Sequence, residues 1–254
     1  MPPVSRRRFT SVASGAAAAL ALGGGCAAGV LLPQRSDGRV AARPHPGGTT
    51  SARGRRPLGL GDGRDGVLQI PSNAAGDPMP LVVLFHGAGG RAERMLDRLG
   101  AAPSDAGVAV LSLDSRDATW DAIRGGLGPD VAFLDRALAR TFDLVRVDPG
   151  RLAVAGFSDG ATYALTLGLI NGDLFRRVIA FSPGFIVDGT PHGRPAVFVS
   201  HGTADTILPI DACSRVIVRR LRQQGYEVTF REFDGGHQVV PAIAADAMAW
   251  AAST

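Results

Sequence analysis

Apolar residues in this chain come in short unbroken runs separated by longer mixed segments, and that rhythm predicts its architecture. The runs are Leu81 to Phe85, Val108 to Leu113, Leu152 to Ala155, Val178 to Phe181 and Ala196 to Val199. A run of this length without polar alternation is expected of a strand buried on both faces of a parallel sheet. Gly66 to Ile70 reads as a first strand that ends at Pro71, and Val228 to Phe233, which alternates less cleanly, suits a strand nearer the sheet edge. Between the strands lie helical patterns. Asp130 to Phe142 sets Val131, Leu134, Leu138 and Phe142 along one stripe, Ala161 to Leu169 and Ala212 to Gln223 look similar, and Ala242 to Ala252 is a closing helix. Strands alternating with helices predict an α/β fold with a doubly wound, mostly parallel sheet. The segment from Ser182 to Arg194 is short, and no insertion elsewhere is large enough for a separate cap domain.

The first 60 residues break the pattern. Ser5-Arg6-Arg7-Arg8-Phe9-Thr10, the weakly apolar Val12 to Leu22 and then Gly23-Gly24-Gly25-Cys26 read as an export signal over residues 1–32, with paired arginines of the twin-arginine type. An uncleaved membrane anchor is the alternative, weakened by the Ala and Gly content of Val12 to Leu32. Cys26 stands where a lipoprotein signal places its acylated cysteine, although three glycines make an imperfect lipobox. The expected location is therefore exported, periplasmic or extracellular, with a lipid tether at Cys26 as an option. Residues 33–60 are rich in Pro, Gly, Arg, Ser and Thr and carry hardly a periodic apolar position, so they read as a flexible linker. The folded domain is then expected over 61–254.

Charge and cysteine narrow the field. All 27 basic residues are arginine, nine of them in residues 1–60 against the single acid Asp37 (9 − 1 = +8), while 61–254 holds 18 arginines and 22 acids (18 − 22 = −4). The high pI therefore belongs to the leader, and a nucleic-acid partner is not expected. With the leader removed, Cys213 is the one remaining thiol, so an internal disulfide is impossible. It reads as a buried helix residue. No base stands beside it to make it a nucleophile.

The chemistry-bearing residues follow the strands, outside whose carboxyl ends ligands gather in such sheets. Gly156-Phe157-Ser158-Asp159-Gly160 follows the run Leu152 to Ala155 and precedes a helix. This is the pattern of a nucleophile elbow, in which a serine sits on a strained turn and both glycines are needed because the backbone packs too closely for a Cβ. Serine attacks only when a base takes its proton, and His237, after Gly235-Gly236, is the candidate base. A carboxylate must hold the imidazole in the correct tautomer, and Asp205, in His201-Gly202-Thr203-Ala204-Asp205, stands after a strand. Asp211 is its rival, with the look of a helix N-cap. Two backbone N–H donors should face the developing oxyanion, that of Asp159 and one from the turn Gly87-Ala88-Gly89, for which Ala88 is the choice. The same turn lacks the G-x-G-x-x-G spacing and lysine of a phosphate cradle. His86 and His201 read as hydrogen-bonded structural residues, and no zinc-ligand spacing appears. Trp120 could wall the acyl pocket or pack in the core, and Phe157 reads as core.

Taken together, Leu84-Phe85-His86-Gly87, Val147-Asp148-Pro149-Gly150-Arg151 leading into the elbow, His201-Gly202-Thr203-Ala204-Asp205 and Gly235-Gly236-His237 resemble the phospholipase/carboxylesterase branch of the α/β-hydrolases, and more distantly polyhydroxybutyrate depolymerases. The resemblance covers about residues 79 to 252. It implies hydrolysis of carboxylic esters or thioesters without metal or organic cofactor, with Ser158, Asp205 and His237 as catalytic serine, acid and base. A polyester or feruloyl-type depolymerase, and a lysophospholipase or thioesterase, are the nearest enzymatic alternatives; a catalytically silent ligand-binding protein is the alternative from another class. Two departures stand out. Asp159 replaces the amide residue common after the nucleophile, and Ala161 stands where many relatives carry glycine. The Asp159 carboxylate is expected to point away from the oxyanion.

Overall fold

A computed structural model of the chain describes residues 36–48, 52–61, 63–73 and 78–253. Cys26 and the whole expected export signal lie outside the described residues.

Eight strands form one open sheet: β1 (Gly54–Pro57), β2 (Gly66–Ile70), β3 (Met79–Phe85), β4 (Ala109–Leu113), β5 (Val147–Phe157), β6 (Arg177–Phe181), β7 (Ala196–Gly202) and β8 (Val228–Phe233). Their order is β1-β2-β4-β3-β5-β6-β7-β8. The first two strands join antiparallel, and every pairing from β4 to β8 is parallel. Among the described residues six α-helices accompany the sheet: α1 (Ala92–Leu99), α2 (Ala102–Asp105), α3 (Pro129–Leu144), α4 (Asp159–Ile170), α5 (Ser214–Gln223) and α6 (Pro241–Ala252). The central strand β3 shows why both faces need cover. Leu81, Val83 and Phe85 join the core under α3, α4 and α5, whereas Val82 and Leu84 join the one under α1 and α6. Alternate residues of a strand point to opposite faces, so an unbroken apolar run is what a two-sided core requires. At the far edge, β8 is only half-buried, as its weaker alternation predicts.

The linker expectation does not survive over the described residues. Instead, Ser36 to Gly48 lies against the body as a strap, and β1 belongs to the sheet. Val40 is buried in the core, and its backbone N–H donates to Asn171 Oδ1 at 2.9 Å. Asn171 Nδ2 in turn donates to Gly38 O at 2.8 Å, while the Ala41 and Ala42 N–H groups share Asp135 Oδ1. Arg39 grips Asp173 with both terminal nitrogens, at 2.7 and 2.8 Å, which holds the Asp173 carboxyl well below the usual carboxylate range. The physical reason is that side chains of the body meet the strap's backbone polar groups, so it needs little apolar periodicity of its own. β1, with Arg55 and Arg56, is held by its ladder to β2 and by the Arg55 side chain bonding Gln69.

Two other boundaries shift. The helix expected from Ala212 begins at Ser214, with Cys213 buried at its N-cap and Asp211 exposed and paired with Arg215 at 2.7 Å instead of capping. In addition, α1 shows a clear stripe of Ala92, Met95, Leu96 and Leu99 that the sequence reading passed over.

Candidate active site

The elbow is built by steric exclusion. β5 runs into Ser158, whose φ of 57° and ψ of −122° put a non-glycine residue in a region that side chains rarely adopt. A Cβ on Gly156 would stand 2.1 Å from Gly160 O, and one on Gly160 would stand 2.3 Å from Phe85 O. Both glycines are therefore obligatory, because β5, β3 and the start of α4 touch backbone to backbone. The Ser158 N–H donates to Phe181 O at 2.9 Å, which anchors the turn to β6.

The imidazole arrives from the other side by the same device. A Cβ on Gly202, at the end of β7, would lie 2.3 Å from Gly235 O, so the loop after β8 is pressed onto the β7 terminus. That contact aims His237 at the elbow. Ser158 Oγ–H donates to His237 Nε2 at 2.9 Å, and His237 Nδ1–H donates to Asp205 Oδ2 at 2.6 Å. The three side chains singled out in the sequence thus meet in one hydrogen-bonded line, with the Asp205 side chain fully buried and that of His237 15% exposed.

Asp205 is saturated with donors. Its Oδ1 accepts the Ile207 and Leu208 N–H groups, both at 2.9 Å. Burial by itself pushes this carboxyl up, but the Leu208 N–H, the His237 contact and the Ile207 N–H together outweigh it and hold the group below its ordinary range. His201 stands behind it. The His201 Nε2–H donates to Leu208 O at 2.7 Å and lies 3.1 Å from Asp205 Oδ2, while the Ser214 hydroxyl donates to Nδ1 at 2.6 Å. Burial lowers the His201 pKa and so favours the neutral ring. It is a structural residue, as expected. His86 is too: its Nδ1–H donates to Gly87 O, its Nε2 accepts the Ser115 N–H, and burial lowers its pKa.

The turn after β3 faces Ser158. A Cβ on Gly87 would sit 3.2 Å from Ser158 Cβ, and Gly89, at φ 64°, donates its N–H to Ala118 O. The N–H groups of Ala88 and Asp159 donate to no protein acceptor among the described residues. Asp159 occupies the first turn of α4, where N–H groups have no partner within the helix. Its carboxylate accepts the Thr119 hydroxyl at 2.6 Å, so that charge is tied to the loop after β4.

Trp120 is not a pocket wall. It is 1% exposed, stacks on Tyr163 at 4.8 Å, touches Phe85 at 4.7 Å and donates its indole N–H to His86 O at 2.8 Å. Packing claimed the ring because its one polar atom found a partner deep in the core. Phe157 is mostly buried as expected, with its ring 4.7 Å from that of His237.

Around Ser158 and His237 lies a cleft of about 360 Å³, bordered by the Gly87 to Gly90 turn, Phe157, Ile207 and three arginines of the α1 region, Arg91, Arg94 and Arg98. The sequence reading missed these arginines. The signal available was the polar face of the α1 stripe, directly after the glycine-rich turn. No group of three or more His, Cys, Asp or Glu able to hold a metal occurs among the described residues, and no helix among them is long and apolar enough to cross a membrane.

A mostly parallel sheet with helices on both faces, a serine on a strained elbow after the fifth strand, and acid and histidine after the seventh and eighth define the α/β-hydrolase class. Residues 132–251 match the family described as Phospholipase/Carboxylesterase. NocK of Nocardia uniformis subsp. tsuyamanensis, a protein assigned as an esterase, is 32% identical over 146 residues, 53% of this chain and 42% of the relative. The chain thus spans less than half the length of that relative. Probable feruloyl esterase C of Aspergillus niger is 23% identical over 71% of this chain and 78% of its own. Among solved structures, esterase PE8 superposes with a TM-score of 0.60 at 23% identity, covering 74% of this chain and 97% of that one, which speaks to the fold.

Proposed function

We propose that the chain is a serine carboxylesterase working through an acyl-enzyme. Ser158 attacks the ester carbonyl as His237 takes its proton, and the N–H groups of Ala88 and Asp159 receive the oxyanion. The imidazolium, steadied by Asp205, hands the proton to the leaving alcohol, and water then repeats the sequence to release the acid. The single observation that carries this reading is the continuous line Asp205–His237–Ser158, at 2.6 and 2.9 Å. Two vacant N–H donors beside the serine supply the electrostatic half of the machinery.

Substrates are small or medium acyl esters. The cleft is open, and β6 is joined to β7 by a segment of only 14 residues, 182–195, with no room for a cap. The same openness, with the similarity to a feruloyl esterase, favours a depolymerase acting on chain-borne esters as the second reading. Residues 1–32 are proposed to direct export.

A silent binding protein is the reading to exclude. Labelling with a fluorophosphonate probe, followed by hydrolysis of p-nitrophenyl esters from acetate to palmitate, tests it. Labelling and turnover that both vanish in Ser158→Ala are expected; a wild-type chain that neither labels nor turns over, beside an active esterase control, refutes the proposal.

A further inference from the structure

The cleft beside Ser158 carries an uncompensated positive charge. Three arginines border it and no acid does. Arg91 is spoken for: its Nη1 donates to Asp114 Oδ2 and to Gly63 O, each at 3.0 Å. Arg94 is exposed and has no partner among the described residues, and Arg98 rests over the Phe157 ring at 5.3 Å with its N–H groups free. Stacking on an aromatic face leaves a guanidinium edge available for hydrogen bonds.

These two side chains lie four residues apart on α1, on neighbouring positions of one helix face about 6 Å apart along the axis. Like charges at that spacing repel, and neither guanidinium has an acid partner among the described residues; Glu93, the exposed acid of the first turn, does not line the cleft. Asp97 on the same helix pairs with Arg55, the Asp159 carboxylate is held by Thr119, and Asp205 is buried behind His237. Phe157 links the cation to the chemistry, since its ring lies under Arg98 and 4.7 Å from the His237 ring.

We infer that the substrate of this site is an anionic ester, one bearing a carboxylate or comparable oxyanion in addition to the scissile ester, which Arg94 and Arg98 hold at the cleft rim. The inference deepens the esterase reading and rests on it. The guanidinium pair offers planar donors to an oxyanion, while Ile207, 67% exposed on the cleft border, offers an apolar contact for the rest of the molecule.

Matched esters test it in two arms. In the acyl arm, mono-p-nitrophenyl glutarate is compared with its methyl ester; in the alcohol arm, 4-acetoxybenzoate is compared with 4-acetoxybenzamide. The expected result is an anionic-to-neutral ratio of kcat/KM of about tenfold or more in one arm, which identifies the side of the ester that bears the charge. That ratio should fall toward one in the Arg94→Gln/Arg98→Gln double variant and shrink with added salt. It should persist in Arg94→Lys/Arg98→Lys. Turnover of the neutral esters without preference in either arm, or a preference that survives the double glutamine change, overturns this inference and leaves the esterase reading standing. Failure on all four esters together with failure to label by fluorophosphonate overturns both.

Discussion

Asn171→Ala is the sharpest test of the strap. Asn171 is fully buried and makes three bonds, accepting from Val40 N–H and donating to Gly38 O and Leu167 O. Removing its amide leaves the chain two responses. The strap stays docked with a buried N–H and a buried C=O unpartnered, at about 1–3 kcal/mol each. Otherwise it lifts into water and gives up the burial of Val40, about 1.5–3 kcal/mol, together with the exposed Arg39–Asp173 pair, about 0.5 kcal/mol. The molecule takes the cheaper course, so the loss is about 2–3 kcal/mol. For a body of this size that is a fall in Tm of about 4–12 °C. Differential scanning fluorimetry reads the loss, and limited trypsin digestion reads the route, with cleavage after Arg39 in the variant alone. Esterase activity at 25 °C should hold, because Asn171 caps the far end of the 12-residue α4, about 18 Å from Ser158. A Tm within 1 °C of wild type with the bond after Arg39 still protected would refute the account of the strap.

Three further outcomes are expected. Asp205→Asn should keep the melting temperature within a few degrees yet lower kcat about 10³- to 10⁴-fold through the wrong imidazole tautomer; near-full turnover would shift the acid's role elsewhere. Ser158→Thr should cost about 1–3 kcal/mol in chemical denaturation and lose turnover, because a β-branched residue is strained at φ 57°, whereas Ser158→Cys, without the branch, should fold normally. The Asp130 carboxyl, which burial pushes up to about 6, binds its proton more tightly in the folded chain than in the unfolded one. Its contribution is therefore largest below pH 4 and is lost as pH rises to about 6, by about 2–3 kcal/mol. Denaturation at pH 4.5 and 6.5, wild type against Asp130→Asn, isolates that change, and equal slopes for the two chains would contradict it.

The central strands were legible because burial on both faces demands unbroken apolar runs, and no other common element does. The elbow and its partners were legible because backbone contact leaves only glycine at Gly156, Gly160 and Gly202. What failed was whatever depends on distant partners. The strap looks like linker because its anchors, Asn171 and Asp135, lie more than 90 residues downstream. Trp120 stands beside a strand end and gave no sign that Phe85 and Tyr163 would enclose it. Arg94 and Arg98 acquire meaning only once α1 is seen to border the cleft.

The half-buried edge strand β8 sets the order in which the molecule should fail on heating. The loop that carries His237 begins where this strand ends, and that strand has a single neighbour, β7. Edge elements with little burial open at a lower free energy than the centre of a sheet. Fraying at this border withdraws the base from a serine that β5, β6 and α4 still hold in place. Thermal inactivation should therefore run ahead of the loss of secondary structure, and cooling should restore turnover as long as the rest of the sheet has stayed intact.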